Sequence, residues 1–510
     1  MPTPLSSFPS VVHMLEAAAA AVPDRTAIVC GEENLTYQQY VACIRELAHW
    51  LREQGVGPGD RVVTLLGNSA DAAVATFAAQ AAGAQLVPLN PAYTQVELTP
   101  VLADAEPKVV FHDAALQDRL RTVLVDNTCC VGVGMGARRL AQPLSTFPPS
   151  LAMPRTEWLS TLQYTGGTTG VPKGVNLTHR AIATNVAQRE ALLPTQDGEQ
   201  VMCITPLFHV YAVSMGLYLA ANCRGTLHIV QKFDAGAVLE EIARQQISFL
   251  SASPTILLGL MGHELFAQAD LSSLRVCSSG SAALPEDVLR RWETITDCPV
   301  CEGYGQTEAG PVLTYNPLAG RRKPGTVGHT VPKTKLQIVD VETGTQPLPM
   351  GEEGEIRARG PQIMVGYRNR PDETAAALRD GWLYTGDIGR LDAEGYLTIC
   401  DRKKDMVVTA GYNVYPREIE EILFTHPDIL DAAVIGVPDS YRGEALLALV
   451  VRADPALTAE AIMDHVALHL TKYKWPRELH FLDALPKTPV AKTDKAALRR
   501  KYSEKMQEPG

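Results

Sequence analysis

Tyr164-Thr-Gly-Gly-Thr-Thr-Gly-Val-Pro-Lys-Gly-Val175 is the stretch on which the reading of this chain turns. The segment before it, Leu159–Tyr164, is short and fairly apolar, as a strand end is, and Asn176–Ala187 after it has helix-compatible spacing. Between them stand Gly166, Gly167, Gly170 and Gly174, the hydroxyls of Thr165, Thr168 and Thr169, and one cation, Lys173. Glycines let a backbone turn sharply and bring its N–H groups close to a ligand. Successive N–H groups in such a turn form an anion-binding concavity. Hydroxyls add donors or a magnesium ligand, and lysine adds a point charge. The combination describes a grip on a polyphosphate. It is not G-x-x-x-x-G-K-[ST], because Gly174 follows Lys173 where that loop needs Ser or Thr.

Outward from this loop the chain alternates. Tyr37–Gln54, Asn68–Ala82 and Gln95–Ala103 have helical periodicity, and Arg61–Leu66, Gln85–Leu89 and Lys108–Phe111 read as strands. The alternation resumes at Gln200–Pro206, Thr226–Val230, Val238–Gln245 and Ile247–Ser251, which predicts helices packed on largely parallel sheets. From about Gly325 to Leu397, alternating segments separated by Gly/Pro turns predict a smaller, more antiparallel β-subdomain. Helix over Arg417–Phe424, strands at Leu430–Val437 and Leu446–Arg452, and helix over Ala459–Leu468 are enough for a small α+β domain. The expected fold is therefore α/β: a large N-terminal domain over 1–400, a charged hinge at 401–405, and a C-terminal domain over 406–510.

Composition bounds the function classes. The 510 residues are 46% apolar and 20% charged, ordinary for a soluble globular protein. A net charge of −11 argues against a general nucleic-acid binder. No basic-then-apolar leader opens the sequence and no stretch is long and apolar enough to span a bilayer, so a cytoplasmic location is expected. Ten cysteines are sparse, and Cys298-Pro-Val-Cys301 lacks the second pair that a zinc site wants.

Further motifs carry chemistry. Glu302-Gly-Tyr-Gly-Gln-Thr-Glu308 sets an aromatic, Tyr304, between Gly303 and Gly305, then offers Gln306, a Thr307 hydroxyl and a hard Glu308 oxygen suited to Mg²⁺. Ser278-Ser-Gly-Ser-Ala-Ala-Leu-Pro285 is a small-residue turn opening a helix. Trp382-Leu-Tyr-Thr-Gly-Asp387 ends in a carboxylate that suits vicinal hydroxyls. Leu207-Phe-His209 places a histidine after a strand.

Taken together, and in this order along the chain, these strings resemble the signatures of the adenylate-forming superfamily, in its acyl-CoA synthetase branch. The family's usual loop has Ser where this chain has Gly166, and Gly where it has Ala491. The resemblance implies an ATP-dependent acid–thiol ligase. A carboxylic acid becomes an acyl-adenylate with Mg²⁺ assistance, and then a coenzyme A thioester. It implies nucleotide contacts at Thr165–Gly170, Lys173, Gly280, Ser281, Ala282, Gly303–Thr307, Asp387, Ile399 and Arg402. His209, Val210, Tyr211 and Ser214, with Gly280, Gly303 and Gly305, would line the acyl site. Thr168 and Glu308 would hold the metal. Lys492 would be the adenylation lysine, acting with Thr165, Lys173, His209 and Glu308, and Lys487 is its runner-up. Lys404 would be the hinge, with Gly411 and Tyr412 on the CoA side. Residues Pro206–Gly216 contain no acid to pair with an α-ammonium, so an apolar acid (fatty, aryl or alicyclic) is expected rather than an amino acid. An acyl-AMP ligase that loads a carrier protein is the alternative, and a homodimer is left open.

Overall fold

The computed structural model describes residues 8–124, 128–134, 137–142, 148–150, 152–165, 172–409, 412–439, 442–488 and 493–505. The chain divides into two compact units. One comprises Met1–Leu284, Val288–Lys335 and Ala358–Leu383; the other comprises Pro285–Asp287, Leu336–Arg357 and Tyr384–Gly510.

The first unit is built on two sheets. One runs, in spatial order, His329–Thr330, Val312–Tyr315, Val300–Gly305, Val276–Ser279, Phe249–Ala252, Gln200–Cys203, Thr226–Ile229, Thr26–Cys30 and Glu33–Thr36. Its interior pairings are parallel and its end pairings antiparallel. The other runs Gly366–Tyr367, Lys173–Thr178, Leu159–Thr165, Gln85–Pro88, Arg61–Leu65, Val109–Asp113 and Cys129–Val133. It is parallel from Leu159–Thr165 onward and antiparallel at the two strands flanking the glycine loop. Strands buried on both faces need near-continuous apolar runs, and Val62, Val63, Leu65, Phe249 and Leu250 are all fully buried.

Helices fill the faces. Tyr37–Glu53 starts in a capping box formed by Thr36 and Gln39, and Ala70–Ala81 starts from the Ser69 hydroxyl. Ala70–Ala81 is buried on every side, which its run of alanines permits without side-chain entropy loss. Phe77, on that helix, meets the rings of Tyr40 and Tyr218 edge-on at 6.1 and 5.6 Å. The segment after the glycine loop differs from expectation. Lys173–Thr178 is a strand, and helix begins only at His179, where Thr178 accepts from Ala181 N. Antiparallel pairing with Leu159–Thr165 and an N-cap hydroxyl override the helical spacing read at Asn176–Leu177.

The second unit carries two antiparallel-dominated sheets. Trp382–Leu391 pairs with Leu397–Arg402, which sets Asp387 opposite Arg402. Ile429–Asp439 and Gly443–Arg452 form a long antiparallel pair, joined by Glu478–Phe481 in parallel and flanked by helices Pro416–Phe424, Ala459–His469 and Lys495–Lys505. The α/β class and the small C-terminal α+β part are as the sequence reads. Among the described residues, no helix is long and apolar enough to cross a membrane.

Two buried histidines carry a pH consequence. Burial pulls His179 and His228 down to about 4 from an ordinary 6.5, so both are neutral in the fold. The unfolded chain binds more protons between these values, so stability is complete above about pH 6.5 and is lost toward pH 4. Each site accounts for about 3 kcal/mol across that window. Urea midpoints measured from pH 7 to 4 are expected to fall, and His179→Phe is expected to flatten that fall. Phe77→Ala, in the same core, is expected to cost about 3–5 kcal/mol at pH 7 in the same measurement.

Candidate active site

The ends of the glycine loop are held by register. Thr165 lies opposite Lys173 and Tyr164 opposite Gly174, and the Thr165 hydroxyl reaches the Lys173 carbonyl at 3.5 Å. Gly166, Gly167, Thr168, Thr169 and Gly170 lie outside the described residues. Gly174 packs closely: a Cβ there would stand 2.7 Å from Leu162 Cδ1 and 3.2 Å from the Tyr164 ring, so a larger residue requires those side chains to shift. Tyr164 anchors the first strand by donating to Asp104 at 2.6 Å, and burial pushes its phenol well above the usual range.

A residue that the sequence reading did not single out joins two of the motifs. The short strand Gly366–Tyr367 pairs with Lys173–Thr178, with Tyr367 opposite Val175. The Tyr367 hydroxyl donates to Glu308 Oε1 at 2.9 Å, and Lys173 Nζ sits 5.2 Å from the centre of the same ring. Burial first, then the Glu308 charge, raises the Tyr367 phenol far above its ordinary value, so it stays a donor. One tyrosine thus ties the lysine of the glycine loop to the glutamate of the Tyr304–Glu308 motif. The only sequence signal was a Gly-Tyr pair after an apolar run.

The second motif is shaped by close backbone approaches. Gly303 and Gly305 end the strand Val300–Gly305, opposite Tyr315 and Val312, with an irregularity between Tyr304 and Gly305. A Cβ at Gly303 would meet the Tyr315 ring at 2.5 Å, and one at Gly305 would collide with the Pro311 carbonyl at 1.8 Å. Gln306 N donates to that same carbonyl at 2.9 Å, and Thr307–Ala309 forms one 3-10 turn that leaves Thr307 and Glu308 half-buried. Tyr304 is half-buried beside them.

His209 caps a helical run. Its Nδ1 accepts from Tyr211 N at 3.3 Å, so the other nitrogen, Nε2, carries the proton in the neutral ring. Asn68 and Gln163 hold the loop before it: Leu207 N donates to Asn68 Oδ1 at 2.7 Å, and Gln163 Nε2 donates to the Phe208 carbonyl at 3.0 Å. The run from Val210 to Asn222 contains a π-helical turn over Val213–Leu217, which buries Ser214 and Met215; such turns concentrate at functional sites. Tyr211 packs beneath Gly280, where a Cβ would stand 2.9 Å from its ring. Its hydroxyl lies 3.0 Å from Ser278 O and 3.1 Å from Ser278 Oγ, which is 2.7 Å from the Tyr315 hydroxyl. Ser281 adopts φ +70°, a left-handed backbone rare for serine, and Ala282 is exposed beyond it. Tyr211, Gly280, Gly303, Ser278 and Tyr315 are thus connected by packing and hydrogen bonds within the first unit.

The second unit holds its own group. Asp387 is 6% exposed, and Arg402 Nε lies 3.4 Å from its Oδ1. Asp387 N donates to Thr385 Oγ1 at 3.1 Å, which fixes the turn. Ile399, opposite Gly389, is half-buried in the paired strand. Lys404 is exposed in the turn after that strand. Gly411, Ala491 and Lys492 lie outside the described residues, and Tyr412 begins the short strand Tyr412–Val414. Lys487 is engaged elsewhere: its Nζ is 2.5 Å from Asp431 Oδ2 and 3.0 Å from Thr493 Oγ1. Cys298 and Cys301 are buried thiols pushed up to about 12, unsuited to redox work. Among the described residues no group of three or more metal-ligating side chains is set to hold an ion unaided.

Known proteins share this architecture. Residues 15–368 match the AMP-binding enzyme family, and residues 418–492 match the AMP-binding enzyme C-terminal domain. The chain is 37% identical to a long-chain-fatty-acid–CoA ligase of Bacillus subtilis, over 100% of this chain and 96% of that one. It is 31% identical to ATP-bound MatB from Rhodopseudomonas palustris, with a TM-score of 0.90, over 98% of this chain and all of the other. It is 26% identical to the anthranilate CoA ligase AuaEII in complex with anthranoyl-AMP, with a TM-score of 0.91 and 99% of each chain covered. A family match across both parts, on a fold shared from end to end, leaves one conclusion: the chain belongs to the adenylate-forming AMP-binding enzymes and is an AMP-forming acid–thiol ligase of the acyl-CoA synthetase kind.

Proposed function

We propose that the protein activates an apolar carboxylic acid, with fatty acids the first class to test, as its acyl-adenylate and transfers the acyl group to coenzyme A. The observation that carries this reading is Tyr367, which holds Glu308 by its hydroxyl and Lys173 by its ring. That geometry gathers a cation and a hard carboxylate oxygen beside the glycine loop, as a magnesium–triphosphate requires. In the first half-reaction a carboxylate oxygen forms a bond to the α-phosphorus of ATP, and the bond from that phosphorus to pyrophosphate breaks. In the second, a thiolate attacks the acyl carbonyl and AMP leaves with the bonding electrons.

Within this reading Thr165, the glycine loop and Lys173 take the β- and γ-phosphates, Thr307 takes the α-phosphate, and Tyr304 stacks on adenine. Glu308, held by Tyr367, and Thr168 would bind Mg²⁺; when bound, the ion supplies charge neutralisation of the phosphates. Asp387, oriented by Arg402, accepts from the ribose hydroxyls, and Lys492 donates to the reacting phosphate and carboxylate. His209 would line the acyl side of the site. Residues 1–400 serve adenylation, 401–405 act as the hinge about Lys404, and 406–510 turn so that the Gly411–Tyr412 segment serves the thiol step. A cytoplasmic location belongs to the same reading, since ATP and CoA are drawn from there.

The apolar-acid preference rests on the helical run after His209. Tyr211, Ala212, Val213, Met215 and Leu217 are buried there, and no acid stands among them. Asp234, the next acid along the chain, caps helix Ala235–Gln245 through Ala237 N at 2.9 Å and so has a structural task.

Pyrophosphate release is to be measured against fatty, aryl and alicyclic acids, with and without CoA. Acid-dependent release, with thioester and AMP only when CoA is added, is the expected outcome. Release that never proceeds to a CoA thioester points to a carrier-protein acceptor, and silence across the panel overturns the reading. Lys492→Ala is expected to lower adenylation by about 10²-fold or more while leaving thioester formation from supplied acyl-AMP nearly intact. Tyr367→Phe keeps the ring beneath Lys173 but removes the donor to Glu308, and is expected to raise the KM for Mg–ATP about tenfold.

A further inference from the structure

Helix His179–Glu190 buries two side-chain amides that reach away from it. Asn185 is 1% exposed and Gln188 is fully buried. The Asn185 side chain accepts from Val312 N at 2.9 Å and donates to Val312 O at 2.8 Å. One amide therefore satisfies both backbone groups of one residue, as a neighbouring β-strand would. Val312 is the point where the chain re-enters the sheet after the Thr307–Pro311 loop, opposite Gly305 and across the irregularity in that pair. Asn185 also donates to Gln188 Oε1 at 3.1 Å. Gln188 Nε2 in turn faces Pro332 O at 2.7 Å, Thr334 Oγ1 at 3.1 Å and Gln362 Oε1 at 3.2 Å. Gln362, fully buried, closes the network by donating to Thr334 Oγ1 at 2.7 Å.

The segment that carries Gln362 holds the same loop from its other side. Met364 N donates to the Glu308 carbonyl at 2.9 Å, and a Cβ at Gly310 would stand 2.7 Å from the Gln362 carbonyl. The turn bearing Thr307 and Glu308 is thus fixed at its exit by Asn185 and along its flank by residues 362–364, and Gln188 joins the two holds. An apolar side chain would fill the same volume without fixing a backbone direction. Buried polar networks with every member satisfied impose one geometry, which is what this turn needs.

We propose that Asn185, backed by Gln188 and Gln362, is a positioning residue for the metal–nucleotide: it sets the placement of the Thr307–Glu308 turn. This rests on the reading of Glu308 as the metal contact. Asn185→Leu keeps the volume and leaves both Val312 backbone groups unpaired; Asn185→Asp keeps only the acceptor.

The test is a calorimetric cycle on the full chain: wild type, Asn185→Leu, Glu308→Gln and the double variant, titrated with ATP in Mg²⁺ and in EDTA. Asn185→Leu is expected to weaken binding about tenfold in Mg²⁺. In EDTA the same variant is expected to stay within about twofold of wild type, and in Mg²⁺ it should add nothing to the Glu308→Gln defect. Additive losses in the cycle, or equal losses with and without Mg²⁺, overturn the positioning role while leaving Glu308 as the metal contact. Wild-type Mg–ATP affinity in Glu308→Gln overturns that contact and the inference together. Should Asn185→Leu lack a cooperative melt, Asn185→Asp carries the same cycle with the same criteria.

Discussion

The antiparallel pairing of Leu159–Thr165 with Lys173–Thr178 is the constraint on which the rest of the first unit depends. A glycine-rich loop has no conformation of its own to offer, and its usefulness comes from fixed ends. The ladder provides them by setting Thr165 opposite Lys173. Its first strand continues a parallel sheet through Gln85–Pro88 and sends Gln163 to the carbonyl before His209. Its second strand receives Gly366–Tyr367 and so brings Tyr367 to Glu308. The loop, the histidine segment and the glutamate turn are therefore tied to one pair of strands. A slip of one residue would turn every side chain on them to the opposite face.

What the sequence made legible is what needs composition or spacing. The glycine loop, the Gly303–Glu308 string and the change of texture near residue 325 each announce a backbone requirement, and the sheets and helices follow them in order. Contacts between residues far apart in the chain were not legible. Tyr367 is unremarkable until a strand pairing sets it against Val175, and Asn185 is one polar residue in a helix until its amide meets Val312. The start of the helix at His179 was misplaced because a hydroxyl cap and a sheet partner outcompete local periodicity. The π-helical turn over Val213–Leu217 inserts one extra residue into a regular repeat, a local change that apolar spacing does not encode.

Some side-chain amides of the first unit hold segments where the backbone departs from regular structure. Asn68 serves the loop before His209, Asn185 and Gln188 serve the turn before Val312, and Gln80 joins Ser160 and Tyr218 at 3.0 and 2.7 Å under the glycine-loop strand. Asn185 and Gln188 meet the rule that a buried amide must find partners, and they spend those partners on the turn and its flank. Apolar packing would hold the helices as well; it would not hold these segments in one position.

The pairing of Asn176 with Gly366 joins the middle of the chain to a point late in it. A ribosome delivers the glycine loop, the helix behind it and both sheets' central strands before it delivers Tyr367. Until that residue emerges, the loop's outer strand is an open edge with unpaired backbone groups, the kind of surface on which nascent chains associate wrongly. Closure of that edge and arrival of the Tyr367 contact to Glu308 are the same event in synthesis, so a chain cut before it lacks the contact and exposes the edge together.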